Sequence, residues 1–157
     1  MPNESVPEPT PAHMHSLDCN LSHTCVLKMD LMIPAREEAI SPLVESVMTA
    51  ARETRIGGDK ELEIETSLRE ALANAIKHGC CADPKKCVRC TVAFEEPGSV
   101  LIVVSDPGNG FDPAGVPDPT SDERLFENHG RGIFLINKMM DEVKFEKNGT
   151  EIHMKKY

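Results

Sequence analysis

The sequence predicts an α+β fold, a two-layer α/β sandwich in which a mixed, mostly antiparallel sheet carries helices on one face. Three observations point there. Strand-like segments come in neighbouring pairs joined by short turns, "CVRCTVAFEE" with "SVLIVVSD" through "EPGS", and "EVKFEK" with "EIHMKKY" through "NGT". Two long amphipathic segments stand together ahead of those pairs. The resulting order, β-α-α-β-β-α-β-β, suits helices packed against one side of a sheet built largely from hairpins.

Residues 1–24 hold prolines, histidines and polar residues without a period and read as a flexible extension, leaving 25–157 as the folded domain. "CVLKMDLMIPA" (Cys25 to Ala35) alternates well enough for a first strand. "REEAISPLVESVMTAARE" is an amphipathic helix that Pro42 either divides or starts. "RIGGDKE" then turns the chain, with glycines at the helix end and Asp59 as a candidate N-cap. The next helix, about Lys60 to Lys77, places Ile64, Leu68, Ala71, Leu72 and Ala75 on one face. After the first hairpin, a loop rich in Pro, Asp and Gly runs from Pro107 to His129. "GIFLINKMM" is a short apolar helix, and the last hairpin turns at Asn148-Gly149.

The 157 residues fit one domain with a real core. Seventeen basic against 26 acidic residues give a formal net charge of −9, with no basic patch, which argues against nucleic acid or an anionic membrane as the main partner. No apolar run approaches the ~20 residues that span a bilayer. The polar start "MPNESVPEPTPAHMHS" lacks an apolar signal segment, so a cytoplasmic protein with mostly reduced cysteines is expected.

Three constellations carry chemistry. In "LREALANAIKHG", Glu70, Asn74 and His78 lie four residues apart, along one near-axial line at the shoulder of the apolar face. In "VVSDPGNGFD", Asp106 ends an apolar strand, where a rigid carboxylate can accept a hydrogen bond from a ring amino group. Gly108 and Gly110 let backbone approach a flat ligand. In "HGRGIFLI", Gly130, Arg131 and Gly132 open a helix whose free N–H groups and positive dipole end suit phosphate. Each motif alone has an ordinary reading as a solvated face, a turn or a helix start. His78 reads first as a partner for the negative end of its helix, and second as a phosphate contact.

The three in this order resemble the Bergerat-type ATP-binding fold shared by gyrase, Hsp90, histidine kinases and MutL, over roughly Val26 to Tyr157. Within that superfamily the short length and the ending "GRGIFLINKMMDEVKFEKNGTEIHMKKY" look most like anti-sigma-factor serine kinases. The resemblance implies ATP and Mg²⁺ as cofactors, with Asn74 giving an oxygen to Mg²⁺ and Glu70 orienting or deprotonating the attacking hydroxyl. It implies Asp106 on the adenine amino group, with Gly108 and Gly110 closing the loop on the base. Gly130, Arg131 and Gly132 would hold the β- and γ-phosphates, and Thr150 would support the adenine pocket. "PAGVPDPTSDERLFENH" would be an ATP lid. It further implies a sigma factor and an anti-anti-sigma (STAS) protein as partners, and a homodimer. The alternative within this reading is a nucleotide-gated binding module that sequesters a regulator with little or no turnover.

The cysteines stand apart from the resemblance. "HGCCADPKKCVRC" holds Cys80, Cys81, Cys87 and Cys90, and the last two have zinc-like C-x-x-C spacing, but Cys90 falls within a strand and no second such pair answers the first. Plain thiols, some of them buried, are the favoured reading. His13, His15, Cys19, His23 and Cys25 near the start offer a further, looser set.

Overall fold

The computed structural model describes residues 24–110 and 128–157. The expected lid and all but Thr24 of the expected extension lie outside these residues or at their margin. The described elements are β1 (Thr24–Pro34), α1 (Ile40–Thr54), α2 (Glu61–Asn74), β2 (Cys87–Glu96), β3 (Ser99–Ser105), α3 (Asn128–Met139), β4 (Glu142–Glu146) and β5 (Glu151–Lys156). They follow the expected order. The five strands form one sheet in the order β1-β2-β3-β5-β4. Every pair is antiparallel, so the sheet expected to be mixed contains no parallel ladder among the described residues.

Alternation assigns each strand a face. Val88, Cys90, Val92 and Phe94 of β2, Val100, Ile102 and Val104 of β3, and Ile152 and Met154 of β5 are buried. Met29, Leu31 and Ile33 of β1 join them at the border of the core. The helices cover this face. Val44, Val47, Met48 and Ala51 of α1 and Ile64, Leu68, Leu72 and Ile76 of the α2 segment complete a single apolar cluster. The opposite face carries polar pairs such as Arg89 on Asp30 (Nε–Oδ1 2.8 Å). Outer strand β1 leaves Val26, Leu27 and Met32 exposed.

Local details depart from expectation in instructive ways. A short 3-10 turn, Glu37–Ala39, precedes α1, so Pro42 sits in the first turn of the helix, where its missing N–H costs nothing. Arg55, not a glycine, takes the left-handed position that ends α1 (φ 58°), and Gly57 follows at φ 102°. Asp59 lies inside a 3-10 turn, and no side-chain hydrogen bond caps α2. The largest change is at the end of α2. The helix passes into a π-turn, Ala75–Gly79, closed by Cys80 N–H donating to Ala75 O at 2.8 Å. α3 begins at Asn128, four residues before the expected Gly132.

The β4–β5 hairpin turns through Lys147, Asn148 and Gly149, all at positive φ. Glu151 fastens it. Lys147 Nζ (2.8 Å) and Ser105 Oγ (2.9 Å) donate to Oε2, and His153 Nε2 lies 2.7 Å from Oε1. Burial alone would push the Glu151 carboxyl up, but these three hydrogen bonds more than reverse it and bring its pKa down to about 2. A folded pKa below the ordinary 4.5 means stabilisation that is fully present above about pH 4.5 and drains away as pH falls towards 2. Glu151→Gln should therefore flatten the acid limb of the stability–pH curve and cost roughly 1–3 kcal/mol at pH 7. Urea melts from pH 2 to 7 measure both, and an unchanged slope would remove Glu151 from the acid response.

Candidate active site

The ends of α2, β3 and α3 and the last hairpin converge on one cavity of about 240 Å³. Its walls are apolar where Ala71, Ala75, Val104, Ile133, Phe145 and Ile152 face it, and polar groups enter at Asn74, His78, Asp106 and Thr150. Gly79, Gly110 and Gly149 supply bare backbone. A flat ring enclosed by apolar walls and met by a few placed polar atoms is the ligand that such a surface suits.

The carboxylate end is built by close backbone approaches. Asp106 N–H donates to Thr150 O (2.9 Å), and Asp106 Oδ1 accepts from Gly108 N–H (2.8 Å). Among the described residues, no hydrogen bond reaches Asp106 Oδ2. Burial pushes the Asp106 carboxyl up, opposed by the Gly108 N–H and by the charge of Lys86. Gly79 abuts this carboxylate so closely that a Cβ there would lie 2.1 Å from Asp106 Cγ. A Cβ on Gly108 would stand 2.3 Å from Gly79 O. Thr150 adds its own brace, with Oγ1 donating to Lys147 O at 2.8 Å.

Gly110 closes the loop against the hairpin. It sits at φ 77°, and a Cβ there would lie 1.8 Å from Asn148 O and 3.3 Å from Thr150 Cγ2. Gly110→Ala must therefore move the loop or the turn while also straining a left-handed backbone. A loss of roughly 1–3 kcal/mol of folding stability is expected in denaturant melts. An alanine variant as stable as wild type would show that the hairpin yields freely.

The opposite end joins α2 to α3. A Cβ on Gly132 would lie 2.7 Å from Glu70 Oε2 and 3.1 Å from Asn74 Nδ2, so both side chains reach the α3 backbone at that point. The other end of α3 is tied to β5 and α2, with Lys156 Nζ donating to Met139 O (2.7 Å) and approaching Glu63 at 3.9 Å. The two helices thus run antiparallel, with Gly132 beside the C-terminal half of α2. Because α3 starts at Asn128, Gly130 lies in the first turn, where N–H groups lack intrahelical acceptors, and Gly132 lies beyond it. Arg131 is exposed on α3.

All the singled-out residues thus fall around the cavity or on the helix that borders it. Glu70, Asn74 and Gly132 meet at one end. Asp106, Gly108, Gly110 and Thr150 meet at the other. Sequence reasoning missed Gly79, whose contact with Asp106 has no local signature, and the apolar walls Ile133 and Phe145. The cysteines divide by position. Cys80 and Cys90 are buried, and Cys81 and Cys87 are exposed. Burial pushes the Cys90 thiol up to about 12, that of an inert packing group. No cluster able to hold a metal through His, Cys, Asp and Glu occurs among the described residues.

Residues 33–156 match the family described as histidine kinase-like ATPase domain. Proteins named anti-sigma F factor are similar along much of the chain. The one from Geobacillus thermodenitrificans is 34% identical over 136 residues, covering 83% of this chain and 92% of that protein. The one from Geobacillus kaustophilus is 33% identical over 136 residues, with the same coverage. The one from Bacillus cytotoxicus is 38% identical over 101 residues, 60% of this chain and 68% of that protein.

Proposed function

The chain belongs to the histidine kinase-like ATPase domain family, and on that premise we propose that it is an ATP-binding anti-sigma factor with serine/threonine protein kinase activity. It binds a sigma factor and transfers the γ-phosphate of ATP to a hydroxyl of an anti-anti-sigma (STAS) partner. The observation that carries the reading is the cavity lined by both Asp106 and Asn74, with Glu70 beside Asn74 where the two side chains meet the α3 backbone at Gly132. Such a layout suits a nucleotide lying base-first towards Asp106.

The residues fit the cofactors. Asp106 Oδ2 supplies an acceptor for the adenine amino group, and the apolar walls take the ring. Asn74 would offer its amide oxygen to Mg²⁺, a hard cation that prefers oxygen ligands and would offset phosphate charge. Gly130 and Arg131, at the start of α3, bind phosphate through backbone N–H and charge. Glu70 accepts the proton of the attacking hydroxyl or orients it. The bound nucleotide supplies the phosphoryl group, and these residues position it.

No described helix is long and apolar enough to cross a membrane, and we place the protein in the cytoplasm. We also infer a homodimer formed through the sheet and first helix region, supported by exposed Val26, Leu27 and Met32 on β1. Sedimentation across a concentration series tests this, and a strictly monomeric protein would end it.

Calorimetric titration with ATP, with and without Mg²⁺, tests the core of the proposal. Wild type should bind more tightly with Mg²⁺, and Asn74→Ala should erase most of that difference while keeping metal-free binding. Absence of nucleotide binding would sink the kinase reading. Binding without transfer to a hydroxyl-bearing partner would favour the nucleotide-gated binding module.

A further inference from the structure

We propose that Lys86 is a positioning residue for Asp106: its ammonium, set diagonally across the β2–β3 pair, holds the carboxylate as a ready acceptor while the cavity is empty. The inference rests on the ATP reading above. It adds a residue outside the cavity wall that sets how far into acid the base can still be bound.

The placement follows from register. The β2–β3 ladder ends with Arg89 opposite Ser105, but neither chain leaves the sheet at once. Ala35 N–H donates to Lys86 O (2.9 Å), continuing the β1–β2 ladder past Pro34 and Cys87. Asp106 N–H donates to Thr150 O (2.9 Å), continuing the β3–β5 ladder past Ser105 and Glu151. Carried one step further, the β2–β3 register sets Asp106 across from Val88 and makes Lys86 its diagonal neighbour. Diagonal neighbours on one face stand about 7–8 Å apart, within reach of a long side chain.

Alternation puts both side chains on the helix-covered face. Ile102 and Val104 are buried there, and Asp106 follows at the same spacing, its carboxylate met by Gly79 from the helix layer. Val88 and Cys90 are buried there too, and Lys86 precedes them at the same spacing, half-buried. Its backbone is held twice, since Lys86 N–H also donates to Asp83 O (3.0 Å). Among the described residues no ion pair engages its ammonium, whereas Lys77 lies 3.6 Å from Glu37.

The electrostatics agree with the geometry. Burial pushes the Asp106 carboxyl up, and the Gly108 N–H and then the Lys86 charge pull against it. Lys86 likewise opposes the rise that burial and the Asp106 charge impose on the Cys80 thiol. The other titratable groups nearby are His78, on the same cavity wall, and Glu151, which pairs with Lys147 and His153. All of these stay in place when Lys86 is changed. Without the Lys86 charge, Asp106 takes up its proton at higher pH, so an acceptor for the base is lost sooner on acidification.

The test uses the full chain with Lys86→Met, which keeps the length of the side chain, and Lys86→Arg, which keeps the charge. The Asp106 carboxyl carbon is followed by NMR through a pH titration of the empty protein. It should titrate at higher pH in Lys86→Met than in wild type and return towards wild type in Lys86→Arg. Adenosine has no phosphate for Lys86 to attract. It should bind Lys86→Met about two- to fivefold more weakly than wild type at about pH 4.5, and within about 1.5-fold at about pH 8.5. An unmoved carboxyl titration would overturn the assignment. So would an adenosine loss of equal size at both pH values, the mark of an altered pocket shape. A wild type that binds neither adenosine nor ATP removes the ATP reading, and the role of Lys86 with it. A wild type that binds both, with an unmoved carboxyl titration in Lys86→Met, removes the role of Lys86 alone.

Discussion

Asp106→Asn should weaken ATP binding by roughly 10- to 100-fold, the largest single loss of affinity at the site, without destabilising the protein. A hydrogen bond to a charged acceptor contributes roughly 1.5–3 kcal/mol, and each 1.4 kcal/mol is tenfold in affinity. Oδ1 is already engaged by the Gly108 N–H, so Oδ2 is the oxygen proposed to serve the adenine amino group. In the variant, one of those two positions must hold an amide NH₂, which faces either a ring amino group or the Gly108 N–H, donor against donor. The folding consequence has the opposite sign. Burial raises the Asp106 pKa in the empty protein, so at neutral pH the ionised carboxylate costs stability that asparagine does not. The variant should melt no lower than wild type. Calorimetry paired with a thermal melt separates the two effects. Retained affinity would relocate the base, and lost affinity with a collapsed melting temperature would make the aspartate a folding residue.

Glu70→Gln should lower phosphoryl transfer by roughly 10²–10⁴-fold, the range associated with losing a positioned general base. ATP affinity should stay within a few-fold of wild type. Glutamine keeps the length and the contact with Gly132 but cannot take a proton. The second helix holds Glu70 one turn before Asn74, so the proposed base and the proposed metal ligand share one rigid support, and a change in one need not move the other. Single-turnover transfer to the unphosphorylated form of the proposed hydroxyl-bearing partner measures the chemistry apart from product release. A variant with full transfer would leave Glu70 without its role. Equal losses in binding and transfer would place it among the binding groups.

The element order and the polar members of the site were legible because they rest on local chemistry. Alternation marks Val88 to Phe94 as a half-buried strand, and Asp-Pro-Gly-Asn-Gly after an apolar strand marks a turn that presents a carboxylate. What was not legible depends on contacts distant in sequence. No local pattern tells that Gly79 must lack a side chain, because the reason is Asp106, 27 positions on. The π-turn is equally silent. "NAIKHG" has good helical composition, and its extra residue is accommodated by hydrogen bonds to Ala75 and Ile76 rather than announced by a proline. The early start of α3 was hidden by Gly130 and Gly132, which read as a helix boundary and are instead inside the helix. Gly132 is there because Glu70 and Asn74 occupy the space of its side chain.

The place of β5 between β3 and β4 has a consequence for biosynthesis. The sheet edge at β3 is made early but receives its neighbour late, since Ser105 and Glu151 are 46 positions apart. At roughly 5–20 residues per second of translation, that interval is about 2–9 s. During it, the apolar run Val100–Val104 stands beside an unpaired backbone edge on a chain still attached to the ribosome. Thr150 and Glu151 arrive together at the end of the wait, so the strand that shields the nascent edge also delivers the carbonyl that pins Asp106. Competence to hold a nucleotide and release from that exposed state are therefore acquired in the same step.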